Sequence, residues 1–96
     1  MVYSLHQNDM IEKLNILGSS HEEIALSLKK LGIKGYVRSV CNCPLANYYK
    51  SLGYKHVSVG GDGFLIDGID FIHTKASEDF LFMFDTNQYP ELRIEL

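Results

Sequence analysis

Between His56 and His73 apolar and polar positions alternate through three short runs, separated by the candidate two-residue turns Gly61-Asp62 and Asp67-Gly68. The two turns agree on one register. With Gly60 opposite Gly63 and Ile66 opposite Ile69, Val59 faces Phe64, Val57 faces Ile66 and Phe64 faces Phe71. Val57, Val59, Phe64, Ile66, Ile69 and Phe71 then share one face, and a slip of one residue would scatter them over both. The other face carries His56, Ser58, Leu65, Asp70 and Ile72, a mixed surface suited to solvent or a partner. The pattern predicts a three-stranded antiparallel meander.

The flanking segments repeat at helical spacing. Met10, Leu14 and Leu17 mark one face of a helix from about Asp9 to Leu17, capped by Asn8 and stopped by Gly18. Ser20-His21-Glu22-Glu23 fits a capping box opening a second helix, with Ile24, Leu28 and Leu31 as its buried stripe and Gly32 as its stop. Gly35 to Val40 alternates as a short strand or extended connection would. A third helix is expected from Pro44 to about Leu52, with Cys43 as N-cap, Pro44 at the first helical position and a face of Leu45, Tyr48, Tyr49 and Leu52. A last helix starts near Ser77, followed by Glu78 and Asp79, and ends near Asp85 to Asn87. Its Phe80, Leu81, Phe82, Met83 and Phe84 cover nearly the whole circumference, more apolar surface than one core-facing stripe needs. The tail Glu91 to Leu96 alternates like an edge strand. The predicted fold is a single α+β domain over residues 1–96, about four helices packed on one face of the small meander.

Composition narrows this picture without redirecting it. At 96 residues the chain can bury one core without a disulfide or a structural metal. Its formal net charge of −3 disfavours non-specific nucleic-acid binding, although Lys29, Lys30, Lys34 and Arg38 lie close in sequence. Cys41 and Cys43, one residue apart, are too close for an unstrained bridge, which suggests a reducing compartment. The start Met1-Val2-Tyr3-Ser4-Leu5-His6 has no basic region followed by an apolar run, and Phe80 to Phe84 is too short to span a bilayer. A cytoplasmic protein without membrane contact is expected.

The candidate chemistry centres on Cys43, since a thiol at a helix start faces the positive end of the helix, which favours the thiolate. A reactive thiol would also need a base, for which His56 and His73 are the candidates, and the residues favour instead a buried cysteine that packs and caps the helix. Cys41, Cys43 and two of His6, His21, His56 and His73 match a zinc quartet in number, but not in spacing. Gly60-Gly61-Asp62-Gly63 is better explained by turn chemistry than as a phosphate loop, because a strand follows where a helix would be needed. No cofactor is implied. The order of helices before a hairpin also fits a winged helix-turn-helix, but the would-be recognition helix offers Asn47, Tyr48, Tyr49, Lys50 and Ser51 with a single cation. The residues therefore favour a non-enzymatic protein-interaction module, its partner another protein or a second copy. Candidate contact residues are Tyr48, Tyr49, Leu65, Ile72, Phe82 and Met83.

Three stretches taken in order carry a resemblance: Asn42-Cys43-Pro44-Leu45-Ala46 with Tyr48, then Val57-Ser58-Val59-Gly60, then Phe84-Asp85 with Tyr89-Pro90-Glu91-Leu92. From about Ile24 to Leu92 the chain resembles a family of small uncharacterised bacterial proteins, frequent in actinobacteria. Members carry a Cys-Pro-aliphatic-Ala-x-Tyr helix start, a Val-Ser-Val-Gly strand and a Phe-Asp…Tyr-Pro-x-Leu ending. The resemblance implies a cytoplasmic protein of bacterial, phage or plasmid origin and carries no catalytic residue. Cys41 departs from the family pattern, in which the cysteine before proline is the characteristic one.

Overall fold

The computed structural model describes residues 4–94. Four helices, α1 (Leu5–Leu17), α2 (His21–Leu31), α3 (Pro44–Ser51) and α4 (Lys75–Asp85), pack on one side of a sheet ordered β1 (Val57–Val59), β2 (Gly63–Ile66) and β3 (Ile69–Ile72). A 3₁₀ turn at Pro90–Leu92 follows α4. The fold is α+β.

The meander has the register its turns predict: Val57 opposite Ile66, Val59 opposite Phe64, Phe64 opposite Phe71, and Ser58, Leu65 and Asp70 side by side. Gly60 N–H donates to Gly63 O at 2.9 Å, closing the first turn. In the second, Asp67 and Gly68 both have positive φ, 47° and 86°, the conformation that an Asp-Gly hairpin favours. Asp67 also braces the strand entry, its carboxylate accepting from the N–H of His56 at 2.7 Å and of Lys55 at 3.2 Å. Val57, Val59, Phe64, Ile66 and Phe71 are buried against the helices, while Ile69, at the last turn, is half-buried.

The backbone N–H of His56, then that of Lys55, holds the Asp67 carboxylate below its ordinary value of 3.8. Its contribution to stability is thus complete above that value and lost as pH falls through the depressed folded value. Urea unfolding should show an acid-side loss of stability that is smaller in Asp67→Asn, which keeps the turn and removes the titration.

The helix starts differ from expectation where a cap outweighs apolar spacing. The first helix begins at Leu5 rather than Asp9, and its cap is Ser4 rather than Asn8. Ser4 Oγ accepts from Gln7 N–H at 3.2 Å while Gln7 Oε1 accepts from Ser4 N–H at 2.8 Å. The fourth helix is capped by Thr74, not Ser77. Thr74 Oγ1 accepts from Ser77 N–H, which puts Ser77 inside the first turn and out of contact with solvent. The second helix starts as predicted at Ser20, but the Glu23 carboxylate bonds the N–H and hydroxyl of Ser19 instead of reaching the cap itself.

Helix ends correct two core assignments, Leu31 and Leu52. Gly32, at φ 73°, closes α2 while Ile33 N–H donates back to Leu28 O, and this paired closure turns Ile33 toward the core. Leu31 is left 59% exposed, and Ala25 joins Ile24 and Leu28 on the buried stripe. Leu52, just past α3, is likewise exposed. Leu45, Ala46, Tyr48 and Tyr49 are all buried, because α3 is covered on two sides.

Neither Gly35–Val40 nor the described part of the tail, residues 91–94, forms a strand. Gly35 makes a single parallel bridge with Arg93, through Gly35 N–H to Leu92 O and Ile94 N–H to Gly35 O, both 2.9 Å. Tyr36 N–H then donates to Asn42 O at 2.8 Å, so the chain loops instead of extending. The tail enters the 3₁₀ turn and buries Leu92; of the predicted edge strand, Glu95 and Leu96 lie outside the described residues.

Candidate functional site

Because every helix packs on the inner side, the alternation that buries Phe64 and Ile66 turns Leu65 outward at the centre of β2. Leu65 is 50% exposed and Ile72, on the next strand, 64%. Two shallow hollows meet on this face and share Ser58 and Leu65. The larger, about 500 Å³, is bounded by Gln7, the Gly60–Gly63 turn, Asp70 and Ile72. The smaller, about 340 Å³, is bounded by Cys41, Lys50, Lys55 and His56. Charge is therefore unequal across the face: cations gather at the entry to β1, and the carboxylates of Asp62 and Asp70 stand at the other hollow. Gln7 Nε2 donates to Asp70 O at 2.6 Å and anchors the start of α1 at the rim.

Tyr48 and Tyr49 do not reach this surface. Both rings are buried, and their hydroxyls donate to main-chain oxygens of α1, Tyr48 to Lys13 O at 2.6 Å and Tyr49 to Met10 O at 2.7 Å. Burial raises both hydroxyl pKa values, which keeps the tyrosines protonated as donors. The Tyr49 ring meets Tyr54, Phe64 and Phe71 at centroid distances of 6.1, 5.8 and 6.3 Å. These residues form core rather than a contact surface. On α4, Phe82 is 67% exposed and lines a separate hollow with Leu81, His73 and Glu78, whereas Met83 is half-buried.

Cys43 caps α3 as predicted, its Sγ accepting from Ala46 N–H at 3.4 Å. Its chemistry is the reverse of that expected from the helix start. Burial pushes the thiol up to about 11, outweighing the N–H groups of Ala46 and Leu45 that act the other way. At neutral pH the sulfur is an inaccessible thiol, while Cys41 is exposed. Alkylation of the folded protein near pH 8 should modify one cysteine, Cys41, with Cys43 joining only in urea; prompt double labelling without denaturant would contradict this.

His56 lines the hollow shared with Cys41, and neither His56 nor His73 is among the groups acting on the Cys43 thiol. His73 Nε2 donates to Gly60 O at 2.7 Å and Nδ1 lies 2.9 Å from Ser77 Oγ, so the ring ties the first hairpin to the start of α4. Its place two residues beyond Phe71 continues the inward alternation, the signal from which this role could have been read. Ser77 next to His73 has the look of a nucleophile and base, but Ser77 is sealed from solvent and its hydroxyl also bonds Thr74. His56 is exposed at the entry to β1. His21 and the Tyr89 hydroxyl are hydrogen-bonded, and Tyr89 stacks on Phe80, which ties Tyr89 to α2 and α4.

The polar residues of α3 are also engaged. Asn47 Nδ2 donates to Lys34 O at 2.7 Å and Asn42 O at 3.2 Å, and Lys50 Nζ bonds Cys41 O and Asn42 Oδ1. Among the described residues, no group of three or more His, Cys, Asp or Glu is placed to hold a metal ion, and no helix is long and apolar enough to cross a membrane. Compared with known proteins, the chain matches no family model, no curated protein and no solved structure.

Proposed function

We propose that this chain is a small non-enzymatic protein-interaction module, a regulator or inhibitor of a larger bacterial or phage protein, working in the cytoplasm and docking through the outer face of its sheet. The observation that carries this reading is the exposure of Leu65 at the centre of that face, between two hollows. An antiparallel sheet with one solvated face ordinarily presents polar residues there, so an apolar centre with a charged rim has the composition of an interface. Burial of Cys43 and the internal bonds of His73, Asn47 and Lys50 leave less support for thiol chemistry or for reading DNA with α3.

A photocrosslinking amino acid placed at position 65 tests the reading against one at Leu26, an exposed position on α2. In host extract, position 65 should give discrete protein adducts that position 26 does not. Equal labelling from both, or none from 65, would overturn the reading.

A further inference from the structure

We infer that when the chain is free this same face is closed by a second copy, packed sheet to sheet about a two-fold axis passing close to Leu65. The inference rests on the reading of the outer face as the interaction surface and names its first occupant. The warrant is the charge arrangement. Lys55 and His56 lie where the chain enters β1, with Lys50 of α3 beside them, and Asp62 and Asp70 lie across Leu65 at the other hollow. Asp67 belongs to the same corner: its carboxylate accepts from the N–H groups of Lys55 and His56 and offsets part of the positive charge, leaving the two lysines, Lys50 and Lys55, against one carboxylate. A face with an apolar centre, a basic corner and an acidic corner opposite is complementary to itself. A two-fold axis in the interface sets Lys55 of each copy toward Asp70 of the other while Leu65 meets Leu65.

The size of the face sets the strength of the contact. Strands about 4.8 Å apart and residues rising about 3.3 Å each give a sheet patch of roughly 200 Å², and the rim residues extend it to a few hundred. That is well below the roughly 800 Å² per partner of a standard stable interface, so the dimer is weak and reversible. A larger partner that covers more surface would displace it.

Sedimentation equilibrium of the purified full chain, from about 10 µM to about 1 mM at low salt, tests this. The average mass should rise from monomer toward dimer across the series, and 0.5 M NaCl should weaken association at least tenfold, since rim charge pairs are screened. Leu65→Glu should remain monomeric throughout. Lys55→Glu and Asp70→Lys should each lose the dimer alone, because each creates two like-charge pairs across the axis. Mixed in equal amounts they should regain it, since both cross pairs become opposite in sign. Far-ultraviolet circular dichroism confirms that each variant is folded. A wild-type chain that stays monomeric at 1 mM, a mixture that stays monomeric, or Leu65→Glu dimerising like wild type would overturn the inference. If that occurs while position 65 still crosslinks a host protein, the interaction reading survives; if both fail, the face is not a binding surface.

Discussion

Replacing Gly35 with alanine should destabilise the protein by about 2–4 kcal/mol, a large share of the stability expected for a chain of this size. A Cβ at that position would come within 2.3 Å of Pro44 N, 2.4 Å of Cys43 C and 2.6 Å of Asn42 O. All three are backbone atoms, so no rotamer change relieves the overlap and the Asn42–Pro44 segment would have to move. That movement would strain the Tyr36 N–H to Asn42 O bond and the start of α3, and with them the seat of Cys43. Urea unfolding followed by circular dichroism should show the midpoint fall with an unchanged slope. Wild-type stability in Gly35→Ala would mean that the two segments do not approach so closely.

Truncation of Tyr49 should have an effect at least as large. Tyr49→Ala removes a fully buried ring wedged among Tyr48, Tyr54, Phe64 and Phe71, and large-to-small changes of this kind cost about 3–5 kcal/mol. Tyr49→Phe keeps the ring and gives up only the hydroxyl bond to Met10 O, a loss of about 1 kcal/mol. The contrast separates core from surface. An exposed contact tyrosine would tolerate both changes within about 0.5 kcal/mol, so nearly equal stabilities for the two variants would contradict its burial.

The meander was readable because its information is local: two tight turns and a period of two leave one register that collects the apolar residues. Helix termini were less readable because caps compete with apolar spacing. Ser4 and Gln7 carry a capping box, but Leu5 and His6 beside them point to solvent and offer no stripe to mark the first turn. The helical faces of Tyr48 and Tyr49 could not be separated by periodicity, since α3 is covered both by α1 and by the sheet, and two adjacent rings therefore turn inward. Cys43 shows the sharpest limit. Its position at a helix start is written in the chain, yet the desolvation that reverses the expected acidity depends on every segment packed above it. The outer face was the reverse case: Ser58, Leu65, Asp70 and Ile72 were named together by alternation, and only the placement of the helices left that side uncovered.

The claim that the outer sheet face, and no other apolar patch, is the interaction surface is tested most directly by following backbone amide resonances while the protein is concentrated at low salt. The account predicts progressive shifts at Ser58, Leu65, Asp70 and the Lys55-His56 entry, with Ile16, Leu26 and Phe82 unmoved. Shifts centred on Phe82, or on the hollow that the exposed Ile16 of α1 and Leu26 of α2 line together, with the sheet residues silent, would contradict it.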